Sequence, residues 1–272
     1  MSKTSQRAVV CLSGGMDSCV CAALAARDYE AYALHCGYGQ RTEQRELQAA
    51  RSVAEALGFR DFLHLRLDLF RRIGGSALTD PSIDVPHAPA GEAIGAEIPV
   101  TYVPFRNAHF LSAAVSWAEV LGAQVIFIGA VEQDSSGYPD CRPAYYEAFQ
   151  QLIRTGTRHG DILVRTPLIH LHKREIVALG LELAAPLDLT WSCYSGSDVA
   201  CGVCDSCVLR LRAFEQAGAK DPIPYATRQA AGSRTGDRFH GQATDSGVDS
   251  LATSTRVAGG CSGPSAGSQR EE

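Results

Sequence analysis

The 272-residue chain lacks three features, and each absence narrows its class. It has no apolar run near the ~20 residues that cross a bilayer. Its polar start, MSKTSQR, leads into a short apolar stretch from Ala8 to Leu12, so neither a leader nor a membrane anchor is expected and the protein reads as cytoplasmic. It has no basic excess either. The 25 Lys and Arg against 30 Asp and Glu give a net charge of −5, which argues against a scaffold for long nucleic acid and predicts no stable nucleic-acid partner. Finally, it lacks the GK[ST] ending of a Walker A loop, so γ-phosphoryl transfer is not expected. No internal repeat is visible. What remains, 45% apolar and 20% charged residues, is the composition of a soluble globular protein with room for one large domain or two small ones.

The most informative stretch is AVVCLSGGMDSCVCAALAA, Ala8 to Ala26. Ala8 to Leu12 is long enough for a buried strand and too short for a helix. Ser13, Gly14, Gly15, Met16, Asp17 and Ser18 follow, and then an Ala-rich run that favours helix. Adjacent glycines let bare N–H groups approach a ligand, and a helix start adds unpaired N–H groups with partial positive charge. Strand, Gly pair and helix N-terminus together make an anion cradle. An SGG alone is equally an ordinary strand-to-helix turn capped by Asp17 or Ser18. The full string SGGMDS resembles the PP-loop of the N-type ATP pyrophosphatases, SGGxDS, and that resemblance implies a grip on the pyrophosphate of ATP and transfer of AMP to a substrate oxygen.

Further along, Ala31 to His35 predicts a second strand, and Cys36 to Gln40 a turn. Thr42 to Leu57 has helical spacing and is stopped by Gly58; Phe62 to Leu65 reads as a third strand. Residues 74–97 carry no period and form a long loop, either an idle excursion or a lid. Asn107 to Leu121 predicts a helix, Val125 to Ile128 a strand, and GAVEQDSSGYPDCR, Gly129 to Arg142, a polar loop where α/β enzymes place chemistry, although a plain polar turn fits its composition as well. A helix at 143–155, a strand at 162–165 and a helix from Lys173 to Leu181, ended with help from Gly180, complete the alternation. Lys173 at a helix start opposes the dipole unless an anion is near; a solvated lysine is the plainer reading. Strands alternating with helices predict an α/β fold with a doubly wound, mostly parallel sheet.

Cys193, Cys201, Cys204 and Cys207 interlock two CxxC steps, with Gly202 permitting a tight knuckle. Four thiolates and no open position describe one structural Zn²⁺ site; an iron–sulfur cluster or a redox pair uses similar ligands. From about Arg228 the composition shifts to Gly, Ser, Ala and Thr, which predicts a disordered tail at 228–272 beside a domain at 1–227 that includes the zinc-binding segment 193–207.

Taken in order, SGGMDS, YGQRTEQRE, TYVPFRNAHFLS, GAVEQDSSGYPDCR, TPLIHLHKREIV, WSCY and CGVCDSCVLR resemble the 7-cyano-7-deazaguanine synthases over residues 8 to 225. The resemblance implies a Rossmann-like, adenine nucleotide alpha hydrolase-like fold and an ATP-dependent carbon–nitrogen ligase of queuosine biosynthesis. Such a ligase adenylates 7-carboxy-7-deazaguanine, converts it with ammonia to the amide, then activates the amide with a second ATP to give the nitrile. ATP is a substrate, Mg²⁺ its counter-ion, Zn²⁺ the structural metal, and a homodimer the implied assembly.

Residue by residue, the resemblance places Leu12, Ser13, Gly14, Gly15, Met16, Asp17, Ser18, Cys19, Val20, Cys21 and Ala22 in the ATP-binding segment, with Gln40 and Arg41 near the nucleotide. Ser13, Asp17, Ser18 and Lys173 take the catalytic contacts to pyrophosphate and metal. Arg106, Asn107, Asp134, Tyr138, Asp140 and Arg142 face the deazaguanine, and the four cysteines hold zinc. Two positions depart from the family pattern: Phe105 stands where VPGRN has Gly, and Thr42 where YGQR is usually followed by His. The bulk of Phe105 puts the pose of Arg106, and with it the ring or carboxylate recognised, in question.

Two rival readings remain. Another PP-loop enzyme, adenylating a tRNA base for thiolation or lysidine formation, would need a basic surface. A non-catalytic nucleotide-binding or zinc-ribbon protein would use Arg210 and Arg212 as nucleic-acid contacts, where a solvated helix face is the reading preferred here.

Overall fold

The computed structural model describes residues 6–86, 98–132 and 137–226. Asp134 and the predicted tail lie outside these residues, as does the second half of the predicted loop at 74–97. Five strands form the sheet: β1 (Arg7–Cys11), β2 (Glu30–Gly37), β3 (Asp61–Arg66), β4 (Val125–Ile128) and β5 (Leu163–Arg165). Their order is β3-β2-β1-β4-β5 and every pairing is parallel. Strands 1, 2 and 4 are near-continuous apolar runs because helices cover both faces of the sheet.

Helices α1 (Met16–Asp28), α2 (Glu43–Ala56), α6 (Lys173–Glu182) and α7 (Asp205–Gln216) pack one face through Val20, Val53, Ile176 and Phe214. On the other face, α4 (Arg106–Leu121) and α5 (Pro143–Gly156) bury Leu111, Phe149 and Ile153 against Val9, Leu34 and Ile126. Each such fully buried large side chain contributes roughly 1.5–3 kcal/mol. A five-residue helix, α3 (Leu69–Ile73), and single 3₁₀ turns at Pro139–Cys141 and Leu187–Leu189 complete the elements.

Gly180 does not end α6. It lies within the helix, which runs on to Glu182, and a Cβ there would stand 2.8 Å from Val20 Cγ2, so the glycine serves close approach of α6 to α1.

The chain reverses its order in the sheet between β1 and its neighbours β2 and β4. That switch point opens a crevice beyond the strands' carboxyl ends. Both loops singled out in the sequence, SGGMDS after β1 and the loop after β4, lie at this edge. They meet tightly: a Cβ on Gly129 would lie 2.9 Å from the Asp17 carbonyl, and one on Gly14, whose φ is +91°, would lie 2.4 Å from the Glu46 carbonyl oxygen. Glycine is required at both positions by space, and at Gly14 by conformation as well. None of the helices among the described residues is long and apolar enough to cross a membrane.

Candidate active site

A cleft of about 270 Å³ occupies the switch point. Its floor is the PP-loop. Ser13 Oγ donates to Ser18 Oγ at 3.0 Å and accepts from Gly15 N–H at 3.2 Å, and Ser18 Oγ reaches the Gly15 carbonyl at 2.9 Å. Gly15 stands at the N-cap of α1 without a side-chain cap, and Gly15, Met16, Asp17 and Ser18 all line the cleft, so the uncapped start of the helix borders it, as an anion cradle requires.

Lys173, first residue of α6, donates from Nζ to Asp17 Oδ2 at 2.5 Å, and both side chains are mostly buried. The cation at the helix start therefore has its anion. Asp17 Oδ1 is buried and without a hydrogen-bond partner, a carboxylate oxygen available to a ligand or metal in the cleft.

At the other end sits Arg106. Its Nη1 donates to the Tyr38 hydroxyl at 2.9 Å, and its guanidinium lies 5.1, 5.6 and 5.9 Å from the ring centres of Tyr38, Phe110 and Tyr138. Its Nε is buried and unpartnered, and among the described residues no carboxylate pairs with it. A desolvated guanidinium of this kind is costly until an anion joins it.

Beside it Asn107 is clamped to the 3₁₀ turn of the YPDCR segment. Its N–H donates to Asp140 Oδ2 at 3.1 Å and its Nδ2 to the Asp140 carbonyl at 3.1 Å. Burial pushes the Asp140 carboxyl above its ordinary range. The same burial raises the Cys141 thiol to about 11 and the Cys36 thiol to about 12 and pushes the Cys11 thiol well up, so none of these three cleft cysteines is a thiolate near neutral pH.

The structure thus brings Leu12, Ser13, Gly15, Met16, Asp17, Ser18, Arg106, Asn107, Tyr138 and Lys173 together around one cleft. Other expected residues lie behind or beside it. Cys19, Val20, Cys21 and Ala22 are buried in the core of α1. Gln40 is buried, its Oε1 accepting from Tyr38 N–H at 2.9 Å and its Nε2 donating to Glu46 Oε2 at 2.9 Å. Arg41 binds the carbonyls of Ala77 and Ile83 at 2.7 and 2.6 Å and so fastens the loop after α3. Asp140 acts on Asn107 from behind, and Arg142 is exposed at the start of α5.

The sequence reading missed several lining residues: His35, Glu46, Trp191, Ser192, Tyr194 and Arg210. Arg210 is a correction, since it is not on a solvated helix face. It is 2% exposed, with Nε and Nη2 donating to both oxygens of Asp221 at 2.8 and 2.9 Å and Nη1 to Thr190 Oγ1 at 2.6 Å, while Arg212 is exposed. Its signal was available in the apolar spacing of α7, which places position 210 with Cys207, Ala213 and Phe214 on the buried stripe.

The four cysteine Sγ atoms lie within 4.8 Å of one another and can hold a metal ion. Sulfurs about 2.3 Å from a tetrahedral metal would be slightly closer together than this. Cys193 Sγ accepts N–H groups from Ser195, Gly196 and Cys201 at 3.1–3.4 Å, and Cys201 Sγ accepts from Cys204 N–H at 3.4 Å; such donors stabilise thiolates at a metal. The segment carrying Cys193 also forms a wall of the cleft. Trp191 N–H donates to the Gly14 carbonyl at 2.8 Å, and Met16 N–H points to Ser192 Oγ at 3.5 Å.

Phe105 has φ +58°, ψ +23°, the left-handed region that favours glycine, which accounts for Gly at this place in the family pattern. Its ring is 60% exposed, packs edge-on to His109 and Tyr145, and does not line the cleft. Thr42, the other departure, donates from Oγ1 to Glu46 Oε1 at 2.7 Å and lies 3.2 Å from the Cys193 carbonyl.

A family model described as "Queuosine biosynthesis protein QueC" matches residues 7–218. The 7-cyano-7-deazaguanine synthase of Acidobacterium capsulatum is 80% identical over 229 residues, covering 84% of this chain and 100% of that protein. That of Koribacter versatilis is 68% identical over 227 residues (82% and 95% of the two chains). The enzyme of Chlorobium phaeobacteroides is 55% identical over 224 residues (82% and 98%). The match spans the cleft, the PP-loop and all four cysteines, and the chain belongs to the QueC family of queuosine biosynthesis proteins.

Proposed function

We propose that the protein is an ATP-dependent ligase that converts 7-carboxy-7-deazaguanine and ammonia to 7-cyano-7-deazaguanine. The observation that carries this is the pair of anion-seeking ends of one cleft. The PP-loop and Lys173 lie at one end, and the guanidinium of Arg106, with a buried unpartnered Nε and no carboxylate in salt-bridge contact among the described residues, lies among aromatic rings at the other. A flat heteroaromatic carboxylate matches the second end: its rings stack beside Tyr38, Phe110 and Tyr138 while its carboxylate meets Arg106. ATP matches the first, with its phosphates on Ser13, Gly15, Ser18 and the N-terminus of α1.

The carboxylate of the substrate is a poor electrophile until its oxygen takes AMP from ATP. Lys173 and the first-turn N–H groups stabilise the departing pyrophosphate, and Arg106 steers the attacking oxygen. Asp17, with Oδ1 buried and unpaired, is the residue that would hold Mg²⁺, which neutralises phosphate charge when bound. The four-cysteine cluster, with its N–H donors and no open ligand position, fits a structural Zn²⁺. Residues 1–227 would carry this activity as one domain.

The test is mass spectrometry of products from purified protein, ATP, Mg²⁺, ammonium and 7-carboxy-7-deazaguanine. AMP together with the nitrile supports the reading, and AMP with the amide alone limits it to the first half. No AMP with this acid, but AMP with a tRNA, would replace it with the tRNA-modifying alternative.

A further inference from the structure

We infer that Glu46 is the proton acceptor for the incoming nitrogen, an assignment that rests on the ligase reading. Near neutral pH ammonia is present mainly as ammonium, which has no lone pair for attack until a proton is removed. A base must therefore line the cleft.

Among the described lining residues only Asp17 and Glu46 are carboxylates, and Asp17 is bound to Lys173 at the phosphate end. Asp140 does not line the cleft and is committed to Asn107. His35 also lines it. Its Nδ1 faces the Leu12 carbonyl at 2.9 Å, so that nitrogen carries the hydrogen, and burial holds the ring near pKa 4, a weak base.

Glu46 is held in one pose. Oε2 accepts from Gln40 Nε2 at 2.9 Å and Oε1 from Thr42 Oγ1 at 2.7 Å. Each oxygen keeps a second lone pair for a cationic donor. Gln40 is itself fixed by Tyr38 N–H, and Thr42 lies against the carbonyl of Cys193, so the pose is set from the turn after β2 and from the cysteine segment together. This gives Gln40 and Thr42 a positioning role toward Glu46.

The charged and titratable groups that bear on Glu46 are Arg106 from α4, Tyr38 after β2 and Glu43 on its own helix. Burial and Glu43 raise its affinity for a proton, while Arg106 and the two hydrogen bonds lower it. In the step itself, ammonium gives one proton to Glu46 and its freed pair bonds to the acyl carbon. The C–O bond to phosphate breaks with its electrons leaving on AMP, and a second N–H proton departs to solvent as the neutral amide forms. Acyl-adenylate and ammonium thus become amide, AMP and two protons.

The test uses the full chain with zinc in place. Acid-dependent ATP–pyrophosphate exchange reports adenylation alone, and amide formation against ammonium concentration and pH reports nitrogen attack. Glu46→Gln should keep exchange within about threefold of wild type, lose amide formation by about 10²-fold or more near neutral pH, and regain part of it as rising pH turns ammonium into free ammonia; Glu46→Asp should recover part of the loss at neutral pH. Glu46→Gln forming amide at the wild-type rate would overturn the inference. So would loss of exchange in both variants, which would assign Glu46 to adenylation or folding. Absence of exchange in the wild-type protein would instead sink the ligase reading on which it rests.

Discussion

Lys173 and Asp17, 156 residues apart in sequence, meet at 2.5 Å between Nζ and Oδ2 and leave Oδ1 of the aspartate buried with no hydrogen-bond partner. On the proposed reading, one carboxylate holds the cation that faces phosphate and keeps an oxygen for the metal that accompanies it. Asp17→Asn should lower AMP formation by about 10²–10³-fold, the usual cost of one lost charged contact at a reacting phosphate or oxyanion. Thermal unfolding should fall modestly, because Lys173 loses its anion while the amide still accepts its hydrogen bond, and the fold should be kept. AMP release followed by chromatography checks this, and near-normal turnover would misplace the phosphate site.

Phe105 occupies a left-handed backbone conformation that costs a side-chain-bearing residue roughly 1–2 kcal/mol. Its exposed ring recovers little of that by burial. Phe105→Gly should therefore raise stability by about 0.5–1 kcal/mol after glycine's own entropy cost, or a few degrees in Tm. Turnover should stay within a factor of a few because the ring does not line the cleft. A fall in Tm would assign the ring a packing role with His109 and Tyr145.

The Arg210–Asp221 pair is 2% and 3% exposed; Arg210 also donates to Thr190 Oγ1 and the Leu187 carbonyl, and Asp221 accepts from the Tyr225 hydroxyl. Arg210→Met should destabilise by about 3–5 kcal/mol, because it strands a buried carboxylate. The double variant Arg210→Met with Asp221→Leu should be milder than the sum of the two singles. Chemical denaturation of all four proteins closes the cycle.

His35 ties stability to pH. Burial holds its ring near pKa 4, below the 6.5 of an exposed histidine, with His64 and Arg51 adding repulsion. The unfolded chain therefore binds the proton more readily. This contribution is fully present above pH 6.5, is lost progressively as pH falls toward 4, and amounts to about 3 kcal/mol at most. His35→Asn should flatten that part of the stability–pH curve; an unchanged slope would assign the acid sensitivity to other groups.

Removing the metal should act on both stability and ligand binding. A chelator, or Cys204→Ser, is expected to lower Tm and also to weaken nucleotide binding measured by calorimetry at a temperature where the protein remains folded. Trp191 and Ser192, beside the ligand Cys193, bond directly to the PP-loop. Lower Tm with unchanged affinity would make the cluster a staple alone.

Much of this molecule was legible in the sequence because its signals were local. β1, β2 and β4 are apolar runs between turn residues, and SGGMDS and the CxxC steps are contiguous. Other features were hidden by their dependence on distant partners. Glu46 is a common polar position in an amphipathic helix until the fold brings Arg106 across from α4. Arg210 looks like a surface charge until Asp221 arrives. Phe105 was visible as a departure from a pattern, but its cause is a backbone angle that one sequence does not display. The helix α3 is a single turn after β3, too short for periodicity to register.

The hydrogen bond from Trp191 to the Gly14 carbonyl has a consequence for synthesis on the ribosome. The SGGMDS loop emerges before its supporting wall, which arrives some 170 residues later, after every strand described in the sheet has been made. A nascent chain can pair β1 with β2 long before it can grip a nucleotide. On the proposed reading, competence to bind ATP is thus acquired late, once the wall beside the cysteine segment has been made.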